Sequence, residues 1–120
     1  MNLRDCYMSF GGNYEEVLGR LQREQTVKKF IYKFLDDKSF NLLEVSMSNE
    51  KYDEALRAVH TLKGISQNLS FTRLYESSSL VTKALKEKDC NKAVDMMPQL
   101  SKDYYQIINI VEEYKSSTEV

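Results

Sequence analysis

The chain contains a single histidine, His60, within the stretch HTLKGISQNLSF, where Lys63 and Gly64 follow three and four residues later. An α-helix turns by roughly 100° per residue, which sets where each of these side chains points. With His60 at zero, Ala55, Ala58, Val59, Leu62, Ile65 and Leu69 fall between roughly 140° and 260°, a single apolar arc. Lys63, Gly64 and Gln67 fall at roughly 300°, 40° and 340°, on the histidine's own face. Leu56 lies on that side too, one turn earlier. The imidazole is therefore expected to stand in solvent with a fixed cation, a missing Cβ and an apolar rim around it. A glycine inside a helix weakens it by about 1 kcal/mol relative to alanine. One that faces outward, beside an imidazole, clears room for another body to reach the ring.

Few chemistries fit that set. A metal site needs several ligands, and no second histidine or suitably spaced acidic cluster supplies them. Hydrolase chemistry would need His60 to serve as base to a nucleophile and to be oriented by a third group, and no such motif accompanies it. There is no glycine-rich phosphate loop of the P-loop type. What remains is the imidazole itself as nucleophile, taking a phosphoryl group that another protein has activated. Neutral imidazole has one unprotonated ring nitrogen and is competent for this. Lys63 would offset charge on the phosphoryl oxygens.

The elements that must hold this site are all helical in period. A short helix over Leu3 to Phe10 is expected to stop at Gly11-Gly12. Asn13 should cap YEEVLGRLQ, with Glu15 and Glu16 in the first turn. A third helix, Glu24 to Leu35, would turn Val27, Phe30, Ile31 and Phe34 inward. Ser39 should cap a fourth that runs through Met47 and buries Phe40, Leu43 and Met47. The histidine helix spans Tyr52 to Leu69. Ser70 or Thr72 should cap the next, which carries Leu74, Leu80 or Val81, and Leu85 to about Lys88. Ser77-Ser78-Ser79 within it would allow a close helix approach.

The last helix, about Lys92 to Lys115, has Ala93, Met97, Leu100, Tyr104, Ile107, Val111 and Tyr114 stepping by four and three. That stripe keeps phase across Pro98, so one kinked helix is expected and not two. The fold class is all-α: an antiparallel up-and-down four-helix bundle with short additional N-terminal helices, in one domain over residues 1–120.

Composition agrees with a helical globular domain. The chain is 42% hydrophobic and 29% charged with one proline, and its net charge of -1 offers no basic surface for nucleic acid or anionic membrane. Cys6 and Cys90 lack metal-ligand spacing and suit reduced thiols in a cytoplasmic protein. MNLRDCYMSF has charges at Arg4 and Asp5 and no apolar segment, so it does not read as a signal peptide, and no stretch reaches the length of a membrane span.

HTLKGISQNLSFTRL resembles the motif of histidine-containing phosphotransfer (HPt) domains, His-x-x-Lys-Gly-x-Ser/Ala-x-x-Leu-Gly followed by a leucine. His60, Lys63, Gly64, Ser66, Leu69 and Leu74 match it, and the pattern is fairly specific. The resemblance extends over most of the chain, and the N-terminal segments look like those of small free-standing bacterial members. It implies a phosphorelay role in a two-component system: His60 as phosphoacceptor from a receiver-domain aspartate, Lys63 as charge partner and Gly64 as access residue. Leu56 and Gln67 would serve docking. The implied partners are response-regulator receivers and a hybrid sensor histidine kinase, with no cofactor on this chain, since the magnesium belongs to the receiver. The chain would be a cytoplasmic monomeric phosphocarrier without an ATP site, and not an enzyme in its own right. The alternative is a non-catalytic helical adaptor. Two departures stand out. Ser70 replaces the glycine after the leucine, and Thr82, with Lys86 one turn on, falls where many members place a glutamine.

Overall fold

A computed structural model describes residues 1–118, and these are 82% helical with no strand. The helices are α1 (Leu3–Ser9), α2 (Tyr14–Leu21), α3 (Glu24–Phe34), α4 (Ser39–Ser48), α5 (Tyr52–Asn68), α6 (Thr72–Lys86) and α7 (Cys90–Thr118). Helix α5 packs between α4 and α6, α6 packs on α7, and α3 touches α7. Helix α4 also meets α7 where Phe40 stacks on Tyr104, with ring centroids 4.0 Å apart. Among the described residues, no helix is long and apolar enough to cross a membrane.

Helix starts follow local chemistry only in part. Asn2 accepts from the Asp5 N–H at 2.8 Å while the Asp5 carboxylate accepts from the Asn2 N–H, a reciprocal capping box. Asn13 caps α2 through the Glu16 N–H at 3.0 Å. Ser39, expected as a cap, is instead the first residue of α4, and its N–H donates to the Asp37 carboxylate at 2.8 Å. Neither Ser70 nor Thr72 caps α6. That position is Phe71, whose ring is buried and whose backbone has no side-chain cap. Helix α7 runs unbroken through Pro98, starting two residues earlier than expected.

The inward stripes match the expected ones except at Phe30. In α7, Ala93, Leu100, Ile107, Val111 and Tyr114 are buried, and Met97 and Tyr104 are half-buried. Phe30, expected inward, is 38% exposed. Of the Leu80/Val81 pair, Val81 is buried and Leu80 faces out. Ser77 and Ser78 are buried on the inner face of α6, and the Ser78 hydroxyl has no hydrogen-bond partner among the described residues.

The short N-terminal helices are joined to the rest by an aromatic cluster. Phe71 lies 5.1, 5.2 and 5.9 Å from the ring centroids of Phe34, Phe10 and Tyr7. The Gly11-Gly12 stop makes that close approach possible. Gly11 has φ +70°, and a Cβ on Gly12 would lie 2.6 Å from the Tyr7 ring and 2.8 Å from the Ser70 carbonyl.

Two tyrosines in this region hold their protons unusually firmly. The Tyr14 hydroxyl donates to the Glu24 carboxylate, which with burial pushes its pKa up to about 12. Burial likewise raises Tyr7, whose hydroxyl donates to the Leu69 carbonyl at 2.9 Å. Both folded values are raised, so the stabilisation is present below the ordinary pKa of 10.0 and is lost as pH climbs through about 12. Stability is therefore expected to fall across that window. Denaturant midpoints measured against tyrosinate absorbance should show it, and Tyr14→Phe should make the fall shallower across that window.

Candidate functional site

The arc on α5 is buried as its spacing requires. Ala55, Ala58, Val59, Leu62 and Leu69 are inside and Ile65 is half-buried. His60 is exposed on the opposite face, and its imidazole makes no hydrogen bond or ion pair to another described residue. Gln67 is exposed, and Lys63, Gly64 and Leu56 are half-buried, Leu56 leaning on the core. The Lys63 ammonium stands 6.0 Å from the ring centroid of Tyr75 on α6. Ser66, the motif's small polar position, is fully buried, its hydroxyl donating to the Leu62 carbonyl at 2.8 Å.

A Cβ built on Gly64 meets nothing within 4 Å. The glycine is thus not required by packing, and its cost to helix stability has no internal compensation. Gly64→Ala is expected to stabilise the fold by about 0.5–1 kcal/mol, raising the melting temperature by a few degrees. Thermal unfolding of the variant beside the parent measures it.

Lys86 is exposed on α6. Thr82 is a correction. It is only 2% exposed, and its hydroxyl donates to the Ser78 carbonyl at 2.7 Å, so it offers no group to a docking surface. Its position on α6 puts it beside Ser78, Val81 and Leu85, on the inner face.

The end of α5 is held by a residue that periodicity does not reveal. Arg20 of α2 donates to the carbonyls of Gln67 at 3.2 Å and Asn68 at 2.8 Å and to the Ser70 hydroxyl at 3.0 Å. A cation there satisfies carbonyls left open by the helix and complements the negative end of its dipole. The Ser70 hydroxyl in turn donates to Glu16 at 2.7 Å, and its carbonyl accepts from the Asn13 N–H at 2.9 Å. Ser70 has φ +55°, a left-handed conformation that costs a non-glycine residue roughly 1–2 kcal/mol. The motif's glycine would adopt it freely. Serine accepts the strain and uses its side chain to tie α2 to the end of α5. The only sequence signal for this link was Ser70 itself, standing where glycine was expected.

Among the described residues no group of three or more His, Cys, Asp or Glu side chains is placed to hold a metal ion. Cys6 is buried, and that burial raises its thiol pKa. The chemistry this face offers is an imidazole open to an external reagent, with a cation one turn away and clearance beside it. Comparison with family models, with curated proteins and with solved structures finds no match.

Proposed function

We propose that this chain is a phosphorelay carrier of the histidine-containing phosphotransfer type, with α4 to α7 acting as its four-helix bundle. The reading is carried by one observation: His60 stands exposed and unpartnered on a rigid helix, beside a glycine whose missing Cβ touches nothing. An imidazole nitrogen attacks the phosphorus of an aspartyl phosphate on a receiver domain. The N–P bond forms as the acyl-phosphate O–P bond breaks, and the aspartate leaves as its carboxylate. Lys63 offsets phosphoryl charge, and the step reverses onto a second receiver. Leu56, Gln67 and Lys86 border the contact, which is small and transient because relay turnover requires release. The carrier works as a cytoplasmic monomer.

The test is incubation with a phosphorylated receiver, followed by acid and alkali treatment of the labelled chain. An acid-labile, alkali-stable label is expected. A chain that binds receivers yet takes no label would instead be an adaptor. Clearance at Gly64 gives a second expectation: Gly64→Gln should slow transfer several-fold while the chain stays fully folded, read by single-turnover labelling and circular dichroism.

A further inference from the structure

Between α2, α3 and the C-terminal half of α5 lies a cavity of about 450 Å³. Its walls are apolar, formed by Leu21, Phe30, Phe34, Ile65 and Leu69. That volume and lining are typical of small-molecule pockets, in which a few polar groups set orientation.

The polar groups at the rim differ in what they have left to offer. Arg20 is occupied by the end of α5 and by Glu16. Asp37 accepts from the Ser39 N–H. The Lys33 ammonium makes no hydrogen bond or ion pair with any described residue and lies 5.6 Å from the Phe30 ring centroid. Two cations, Arg20 and Lys33, thus line the cleft against one carboxylate, Asp37, which leaves the lining net positive with Lys33 as its cation without an ion pair. Lys33 sits beside the ring that breaks the inward stripe of α3.

We propose that this cleft binds a small amphipathic organic anion, its apolar body against Phe30, Ile65 and Leu69 and its anionic head on Lys33. A neutral ligand would leave the lysine unused, and a cation would be repelled by it. Ile65 and Leu69 point roughly 140° and 180° away from His60 around α5, so the ligand leaves the imidazole free. The site does not depend on the phosphotransfer reading.

The intact chain is titrated with anilinonaphthalene sulfonate, followed by fluorescence, and with N-phenylnaphthylamine, which keeps the aromatic rings and lacks the sulfonate. Saturable binding at one site per chain is expected for the sulfonate. Lys33→Gln should weaken it at least about fivefold, since the lost contact is charge-assisted, and leave the neutral probe unmoved. Lys29→Gln, an exposed lysine on the same helix, should change neither. Ile65→Gln should weaken both. Circular dichroism confirms that each variant is folded. Non-saturable binding, an unchanged response in Lys33→Gln, or an equal response in Lys29→Gln overturns the proposal. So does tighter binding of the neutral probe, which would point to an uncharged ligand or a partner's apolar side chain.

Discussion

His60→Gln is expected to abolish the acid-labile phosphoryl label completely while leaving the melting temperature within about three degrees of the parent. Both halves follow from where the residue sits. The ring is exposed and makes no hydrogen bond or ion pair to another described residue, so its removal takes nothing from the fold. Surface substitutions of that kind usually change stability by no more than about 0.5 kcal/mol. Glutamine also has a higher helix propensity than histidine, so α5 is not weakened. Its amide nitrogen is no nucleophile, so an N–P bond cannot form and no residual rate is expected. The chain has no second histidine to take over. A His60→Gln chain that still acquires an acid-labile label would sink the assignment. Loss of label together with loss of folding would mean that His60 is structural, which its exposure contradicts. Lys63→Ala should keep the nucleophile and lose only part of the rate, because a single electrostatic contact to the transferring group is removed.

Phe71→Ala should produce the largest loss of stability of any single truncation considered, about 3–5 kcal/mol. Its ring is 0% exposed and packs on Tyr7, Phe10 and Phe34, which come from α1, the turn after α1, and α3. Truncation would empty the point where the N-terminal helices meet the α5–α6 turn. A domain of this size has only about 5–15 kcal/mol in total, so a fall in melting temperature of roughly 10–20 °C is expected. Phe30→Ala is the matched control: the same chemical change at a ring 38% exposed should cost under about 1 kcal/mol. Urea unfolding of both variants decides the point. Equal losses would mean that the aromatic cluster is not the joint between the two parts of the chain.

The candidate site is largely legible in the sequence because it lies along one helix. Within α5 the angle between residues is set by backbone geometry, so His60, Lys63, Gly64 and Gln67 had to share a face once the apolar arc was buried. The same reasoning carried the stripe of α7 through Pro98. It failed at Phe30, and the resemblance that set Thr82 near the site gave no sign of its burial, for a common reason: spacing names a face, and only the neighbouring helices decide how far around the helix burial extends. Thr82 sits near the edge of the apolar arc of α6, and α6 is flanked by both α5 and α7, so that edge is covered too. Phe30 sits near the edge of the α3 stripe, and the cleft beside α2 and α5 leaves it partly open.

By itself, then, the sequence determined the helical class, most of the inward faces and the outward grouping around His60, because each depends on contacts within a few residues. Tertiary structure alone decided that Arg20 seals the end of α5 from 47 and 48 residues away. It also decided that Ser70 stands in a left-handed turn and uses its hydroxyl to join α2 to α5, and that Lys63 faces Tyr75. These contacts join segments far apart in the chain. Local spacing carries no record of them, because their geometry exists only once the helices have packed.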